Sequence, residues 1–299
     1  MTTEKEPKQA LALRHVTIDN ALIRSAQGLT LAEKRLMMLA VSMLDSRKEV
    51  AADSVQMTAI KAADYADLAK VDMRTAYQEL KYASKKLYSR SIRFYEPPDP
   101  KRRSKKATEI DMRWVGEAKY KDDEGLVEIY WWPRLIPYLT NLKNQFTSYQ
   151  LQQATALRSM YSWRLLEILS QFKDTGVLVI PIEEFAHAMD ANDKYKTDFA
   201  RIRTRMIEPA VKELREKDGW DITWKAIKRG RTVAILRFDF DTKQPAKPKR
   251  AKPPEPKPAS EYVDPSSQST AFVVIPTPAK RTPEQRAKAL EALAAVRKQ

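Results

Sequence analysis

Residues 62–87 read AADYADLAKVDMRTAYQELKYASKKL, and this stretch gives the clearest indication of the fold. Residues 62–69 predict a short apolar helix, and Asp72 is well placed to cap a second helix, because aspartate accepts hydrogen bonds from the first N–H groups of a helix. Helical spacing puts five side chains on one inward face of that second helix: Met73, Ala76, Leu80, Ala83 and Leu87. The stretch therefore predicts two consecutive helices that share a core.

The outward face of the second helix is polar and mostly basic, with Arg74, Gln78, Lys81 and Lys85. Three runs with strand composition follow it, at residues 91–95, 111–118 and 126–131. A short helix, a longer helix and strands with basic residues thus follow one another in the first half of the chain.

The same order recurs about 120 residues later. Residues 182–189 predict a short helix, and Thr197 or Asp198 caps a longer one. Its inward side chains are Phe199, Ile202, Met206, Ala210 and Leu214, and its outer face offers Arg201, Arg205, Glu208, Lys212 and Arg215. Strands at 222–228 and 232–240 flank a turn at Arg229 and Gly230. Helix, turn, helix and basic hairpin define a winged helix, so the sequence predicts an α+β chain with two tandem winged-helix domains related by an internal pseudo-repeat.

The charge of the chain favours a polyanionic partner. The 299 residues have a formal net charge of +15. Residues 242–299 hold 12 Lys and Arg against 5 Asp and Glu, so residues 1–241 keep 42 against 34 and a charge of about +8. Nucleic acid fits better than a membrane, because no apolar run approaches the roughly 20 residues that a spanning helix needs.

Enzyme motifs are missing from the sequence. None of the 6 glycines belongs to a P-loop, the 2 histidines lie far apart, and there is no cysteine. We therefore expect no enzyme, no cofactor and no metal site. The charged start of the chain lacks the apolar core of a secretory signal, which predicts a cytoplasmic protein.

The expected domain plan has four parts. Residues 1–13 are expected to form a flexible arm, and residues 14–140 the first winged helix, which would dimerise and contact DNA. Residues 141–241 would form the second winged helix, which would be the main DNA reader. Residues 242–299 would form a Pro/Lys-rich, largely disordered tail. The tail begins with a basic linker, since residues 242–258 hold 6 prolines and 6 Lys or Arg, and ends in a short helix.

Two further features bear on contacts. The proline-rich loop at 97–106 carries Lys101, Arg102 and Arg103, and at the tip of the first wing it would meet phosphates. Four apolar residues recur every seven positions: Leu22, Leu29, Leu36 and Met43. Core packing is favoured over a continuous coiled coil because Gly28 and the cap at Thr30 interrupt the helix, but a dimer surface built from this pair of helices stays open.

Five short motifs resemble the iteron-binding plasmid replication initiators, or Rep proteins. They are NAL at 20–22, LTLAEKRL at 29–36, FTSYQL at 146–151, SMYSWRLLE at 159–167 and IEPAVKEL at 207–214. Pro209 is the most telling residue, because a proline inside a helix costs about 3 kcal/mol and a random amphipathic helix rarely keeps one. The resemblance spans about residues 14–240 and leaves the tail out.

The resemblance implies a function and partners. Monomers would bind directly repeated iterons in double-stranded DNA, help to open the origin, and recruit the host initiator, helicase and chaperones. Dimers, in equilibrium with monomers, would bind an operator and repress the protein's own gene. A chain without an ATPase motif fits an initiator that depends on the host's motor.

Base readout is expected from the second long helix, where Arg201, Arg203 and Arg205 lie near its start, because arginine can hold guanine with two hydrogen bonds. In the first long helix, Lys81 and Lys85 are expected to grip phosphates. Phosphate contacts are also expected from the second hairpin turn, from Lys228, Arg229 and Arg231.

Two alternatives remain from the residues. A dedicated repressor with tandem winged helices would share every pattern and would bind a promoter palindrome but no direct repeats. A nicking initiator enzyme would need metal-dependent cleavage of a single strand, which two distant histidines make improbable.

Overall fold

The structure is a computed structural model that describes residues 13–51, 54–96, 108–196 and 198–242. The helices are α1 Asn20–Arg24, α2 Leu31–Ser42, α3 Ala62–Ala69, α4 Met73–Leu87, α5 Leu151–Thr155, α6 Met160–Ser170, α7 Ile182–Ala188, α8 Asp193–Lys196, α9 Phe199–Ile202 and α10 Glu208–Asp218, with a 3-10 turn at Pro133–Tyr138 and a π turn at Arg203–Ile207. The strands are β1 His15–Asp19, β2 Met57–Lys61, β3 Ser91–Glu96, β4 Thr108–Arg113, β5 Val115–Lys121, β6 Leu126–Trp131, β7 Phe146–Gln150, β8 Val177–Pro181, β9 Trp220–Arg229 and β10 Thr232–Thr242.

Two three-stranded antiparallel sheets have the same plan. In the first, β6 lies between β2 and β5, and in the second, β10 lies between β8 and β9. In each sheet, one strand precedes the short helix in the chain, and the other two strands form a hairpin after the long helix. The predicted pair of winged helices, related by an internal repeat, is confirmed. The strands that precede the short helices, β2 and β8, were not predicted from the sequence.

Two small sheets add to this plan. β1 pairs with β7, and β3 pairs with β4. The run predicted as one strand at 111–118 is two strands that meet at Trp114, whose ring is fully buried. The wing of the first module is therefore the β5–β6 hairpin, and the basic loop at 97–106 connects β3 to β4. The loop itself, with its predicted phosphate contacts, lies outside the described residues.

The long helix α4 begins as the sequence predicts. The carboxylate of Asp72 accepts hydrogen bonds from the N–H of Thr75 at 2.9 Å and from its hydroxyl at 2.6 Å. Four of the five inward residues are buried: Ala76, Leu80, Ala83 and Leu87. Met73 is 41% exposed, so its inward placement is wrong. It occupies the first helical position, where the helix has not yet reached the core.

The second long helix runs from Phe199 to Asp218 in three consecutive parts, α9, the π turn and α10. The carboxylate of Asp198 caps it by accepting from the N–H groups of Ala200 and Arg201 at 3.0 and 3.3 Å. Thr197, the other predicted cap, lies outside the described residues. Pro209 is the second residue after the π turn, in the first turn of α10. Because proline has no N–H and its ring crowds the preceding turn, the wider π turn lets the helix continue past it.

The four residues spaced by seven lie inside the first module. Leu22 and Leu36 are fully buried, Leu29 is 7% exposed, and Met43 packs against the same core. These side chains stabilise the monomer, and in this conformation they leave no exposed seam for a dimer.

Strand β7, which follows residue 140, shares a two-stranded sheet with the first strand of the chain. β7 pairs along its whole length with β1, from His15 opposite Gln150 to Asp19 opposite Phe146. The two winged helices also share one compact unit. In the described part of the chain, no helix combines the length and the apolar character that a membrane crossing requires.

Candidate nucleic-acid interface

The outward side of α4, which we call the first recognition face, consists of Arg74, Gln78, Lys81 and Lys85, and all four are exposed. Lys81 is already engaged: its ammonium lies 2.5 Å from the carboxylate of Asp122 and 5.6 Å from the centre of the Tyr120 ring. The hydrogen bond to Asp122, and then the charge of that carboxylate, raise the pKa of Lys81. Among the described residues, Arg74 and Lys85 have no carboxylate within ion-pair distance.

The tip of the first wing is acidic, with Asp122, Asp123 and Glu124 in the turn between β5 and β6. Gly125 completes this turn with a φ of +56°, and a Cβ atom there would lie 2.3 Å from the Tyr77 ring. The ring of Tyr77 on α4 thus rests directly on the turn. The first wing is fixed against its recognition helix, and its carboxylates oppose contact with phosphates.

The two lysines of α4 should therefore differ in DNA binding. Each phosphate contact adds about 0.9 to the slope of log affinity against log salt, because binding releases a counterion. We expect Lys85→Ala to lower that slope by about 1 and Lys81→Ala to lower it by less, since Asp122 already neutralises Lys81. Salt titrations of DNA binding by fluorescence anisotropy measure both.

Asp122→Asn is the control for this comparison. In the Asp122→Asn background Lys81 has lost its ion pair with Asp122. Lys81→Ala should then lower the slope of log affinity against log salt as much as Lys85→Ala does. Equal slopes for the two single variants in the wild-type background would contradict the pairing.

The start of the second long helix and the face that follows form the second recognition face, which comprises Arg201, Arg203, Arg205, Lys212 and Arg215, all exposed. Arg201 pairs with the capping Asp198 at 3.0 Å, and Arg203 lies 3.5 Å from Glu208. For Arg205, the described residues supply no such carboxylate. Arg205 can therefore turn to DNA without breaking an ion pair to a described residue.

The remaining two basic residues of this face lie further along α10. Lys212 is 3.9 Å from Glu216, a loose pair between exposed side chains. Arg215 donates a hydrogen bond to the carbonyl of Ile222, which holds it against β9 of its own domain. Both side chains lie beside a groove of about 380 Å³ that Trp224 and Val211 also line.

The second wing has the opposite charge from the first. Lys228 and Arg229 end β9, Arg231 begins the return, and all three are exposed around Gly230. Within the described ranges, none of the three lies in an ion pair. This hairpin is a basic projection, whereas the first hairpin is acidic at its tip, and phosphate contacts from these three residues stay a prediction.

Both recognition helices begin with an aspartate cap, and this limits how they can contact DNA. The side-chain hydroxyl and then the N–H of Thr75 donate to Asp72 and lower its pKa. Asp198 occupies the N–H groups of Ala200 and Arg201. Because these caps occupy part of the free N–H groups at the start of each helix, we expect base and phosphate contacts at these ends to come mainly from side chains.

A buried ionic cluster lies beneath these faces, on helix α6. Arg164 donates to Glu167 at 2.6 Å, Lys34 of α2 lies 2.7 Å from the other oxygen of Glu167, and Tyr149 of β7 donates to that same oxygen at 2.6 Å. All four side chains are buried, with at most 1% exposed. Buried charges persist only when paired and hydrogen-bonded, so this cluster commits α6 to one position against α2 and β7.

Burial and charge act in opposite directions on these groups. Burial, opposed by the charge of Glu167, lowers the pKa of Lys34 to about 8. For Glu167, burial would raise the pKa, but the charges of Lys34 and Arg164 outweigh it and leave the pKa below its usual value. Burial raises the pKa of the Tyr149 hydroxyl, so it stays a hydrogen-bond donor.

The cluster was not identified from the sequence. Its members lie in the motifs at 29–36, 146–151 and 159–167, which served only as marks of resemblance. A signal was present: Arg164 and Glu167 lie three residues apart beside the inward Trp163 and Leu166 of an apolar helix, where charged residues have to be paired.

Lys34 makes stability depend on pH with a defined sign. Its pKa is about 8 in the folded chain and 10.5 for an ordinary lysine, so between these values the unfolded chain binds more protons. The contribution of Lys34 to the free energy of unfolding therefore rises with pH in this window. Against Lys34→Met, urea unfolding should favour the wild type more at about pH 10 than at about pH 7.5. An unchanged difference would show that Lys34 titrates normally.

The loop at residues 156–158, just before α6, is hydrogen-bonded both to α2 of the first module and to α10 of the second. Arg35 of α2 donates to the carbonyl of Leu157 at 3.2 Å, and Lys217 of α10 donates to the carbonyl of Ala156 at 2.9 Å. Glu213 of α10 accepts from the N–H of Arg158 at 2.8 Å. The second recognition helix is thereby anchored on a loop that the first module also holds.

Some expected site residues cannot be placed. Lys101, Arg102 and Arg103 lie outside the described residues. Where the structure describes the chain, no three His, Asp or Glu residues are grouped so as to hold a metal ion.

Comparison with known proteins matches these two modules. A model described as "Initiator Replication protein, WH1" matches residues 15–170, and one described as "Initiator Rep protein, WH2" matches residues 181–240. The PI protein of Escherichia coli is 27% identical over 247 residues, which is 74% of this chain and 80% of that protein. A replication initiation protein of Escherichia coli is 24% identical, over 74% of this chain and 68% of that protein.

A solved structure has the same fold. It is described as a crystal structure of Pi initiator protein in complex with iteron DNA, and it aligns with a TM-score of 0.64 at 22% identity over 78% of this chain and 99% of that chain. The two family matches together cover residues 15–170 and 181–240. The chain therefore belongs to the family of initiator replication proteins that carry a WH1 and a WH2 domain in tandem.

Proposed function

We propose that this protein is a plasmid replication initiator that binds directly repeated iterons as a monomer. One observation carries the proposal: two winged helices, each with an exposed recognition helix, lie in one compact unit that a buried ionic cluster holds together. The likeness to a protein whose structure is described in complex with iteron DNA supports the choice of DNA.

Two recognition helices in one chain can enter major grooves about 10 base pairs apart on one face of the duplex. Such a reader needs no second subunit and no palindrome. The second module is the main reader in this proposal, because Arg205 has no carboxylate partner among the described residues and the wing of this module is basic. The first module, with its acidic wing, contributes α4, where Arg74 and Gln78 face bases and Lys85 faces a phosphate. Lys101, Arg102 and Arg103 remain candidates for phosphate contacts.

The domain limits follow from the pairing of β1 with β7. We place the end of the first domain after Ser170 and the start of the second at Val177, so that α6 belongs to the first domain and contacts the second. In this proposal the first domain also forms the dimer. Because Leu22, Leu29 and Leu36 are buried, a dimer seam has to use other residues or another conformation of this domain.

The remaining steps extend the same proposal. Bound monomers help to open the origin in the cytoplasm and recruit the host initiator, helicase and chaperones, and dimers repress the protein's own gene at an operator. In this proposal the protein acts by binding DNA, and a relative that is named a replication initiation protein supports it.

Competition binding tests the proposal. Purified full-length protein is titrated with labelled DNA that carries the direct repeats of its own origin, and unlabelled repeats, promoter DNA and random DNA compete at several salt concentrations. We expect the repeats to compete at least about 1,000-fold better than random DNA, with a steep salt slope. Preference for a promoter palindrome, with no preference for direct repeats, would identify a dedicated repressor.

A further inference from the structure

The turn at 25–28 and the end of α7 form a second contact between the modules, apart from the ionic cluster. Asp190 follows α7 in the second module, and one oxygen of its carboxylate accepts from the N–H groups of Gln27 and Gly28, at 2.7 and 3.1 Å. Next to it, Nε2 of His187 lies 3.2 Å from the N–H of Ala26. Asp190 thus holds two consecutive backbone N–H groups of the first module, whereas the N–H of Ala26 also donates to the carbonyl of Arg93 within that module, at 3.2 Å.

The first module keeps this turn rigid. The carbonyl of Gln27 accepts from the indole N–H of Trp114 at 2.9 Å, and the side-chain oxygen of Gln27 accepts from Lys34. Gly28 has a φ of +62°, and a Cβ atom there would lie 3.0 Å from the carbonyl of Ser91. A side chain that binds this turn is therefore attached to the core of the first module and not to a mobile loop.

Arg164 adds a third attachment at the same place. Its guanidinium donates to the carbonyls of Ile23 and Ser25 in the first module, at 2.6 and 2.8 Å, and to the carbonyl of Ala188 in the second module, at 2.6 Å. Asp190 and Arg164 therefore both stabilise one junction between the modules, where the segment after α1 contacts the segment after α7.

Such a junction has a consequence for DNA recognition. If the two modules cannot rotate about it, the two recognition helices keep one separation and one angular offset. One added base pair rotates the far half-site by about 35° and moves it along the axis, so a rigid reader loses contacts and a flexible one does not. Contacts far from DNA would then determine which spacing between half-sites is accepted.

We infer that Asp190 is a positioning residue that sets the half-site spacing accepted by the monomer, by fixing the second module on the turn at 25–28. This inference rests on the proposed function, since it assumes that one chain contacts two half-sites. Asp190 itself has a φ of +53°, a backbone conformation that aspartate and asparagine tolerate.

Asp190→Gly tests the inference, because glycine accepts the same backbone conformation and removes the carboxylate. Asp190→Asn is the conservative variant, since its amide oxygen can still accept from the N–H groups of Gln27 and Gly28. Val127→Ala is the control for stability: it weakens the buried core of the first module without touching the junction.

The measurement is the affinity of full-length protein for a single repeat and for the same repeat with one, two or three base pairs inserted between its halves. We expect the wild type to lose at least about tenfold in affinity per insertion, and Asp190→Gly to lose less than about threefold. Asp190→Asn and Val127→Ala should keep the spacing penalty of the wild type, whatever their affinity for the natural repeat.

The outcomes separate this inference from the proposed function. If the wild type shows no preference for the direct repeat, the proposed function fails, and the inference with it. If the wild type prefers the repeat and Asp190→Gly weakens every spacing by one common factor, or changes nothing, the proposed function stands and the positioning role of Asp190 is wrong.

Discussion

Replacing Arg164 by methionine is expected to lower the free energy of unfolding by about 3–5 kcal/mol. The guanidinium is fully buried, pairs with Glu167, and donates to carbonyls of both modules. Methionine fills similar space but leaves three carbonyls without their donor and removes one of the two cations around a buried carboxylate. Urea unfolding of wild type and variant measures the loss.

A double variant distinguishes the pair from its surroundings. Arg164→Met with Glu167→Met removes both charges of the pair, so the two changes together should cost less than the sum of the single changes. Arg164→Lys keeps the charge but cannot reach Glu167, Ala188 and Ser25 at once, so it should be intermediate. A loss below about 1 kcal/mol for Arg164→Met would show that the cluster does not hold the modules together.

Replacing Arg205 by alanine is expected to weaken binding to the specific site about tenfold to a hundredfold, a loss of about 1–3 kcal/mol, and to relax specificity at one base pair. Arg205 lies in the π turn of the second recognition helix, is exposed, and has no carboxylate partner among the described residues. It can therefore make a two-bond contact with a guanine without first breaking an ion pair. Affinity for a set of singly substituted repeats measures both effects.

Two arginines of the same domain are controls for Arg205. Arg201 is paired with Asp198, so Arg201→Ala should cost less on the specific site. Arg229 lies on the wing, so Arg229→Ala should weaken specific and random DNA alike and lower the salt slope by about 1. If Arg205→Ala also weakened all sequences by one factor, Arg205 would contact a phosphate and not a base.

The helices of both modules could be predicted because their signals are local. Caps such as Asp72 and Asp198, and apolar spacing such as Leu80 to Leu87, depend on neighbours within one or two turns. Strands β2 and β8 were missed because each is five residues long and lies at the edge of its sheet, where it is stabilised by pairing with a central strand, β6 or β10, that is distant in the sequence.

The site was only partly predictable for a related reason. The outward residues of α4 and of the second long helix follow from helical period, and they are exposed as expected. The helical period does not predict ion pairs between residues that are distant in sequence. Lys81 pairs with Asp122, 41 positions away, and Lys34 pairs with Glu167 in the core. The π turn before Pro209 likewise depends on how the whole helix packs, although Pro209 marks its place.

In the proposed mode of binding, one chain reads one direct repeat with both winged helices. Hydroxyl-radical footprinting of a single repeat, with the stoichiometry of the same complex measured by mass photometry, tests it most directly. We predict one chain per repeat and two protected segments about 10 base pairs apart on one face of the duplex. Two chains on an inverted repeat, with no protection of a single direct repeat, would contradict the account.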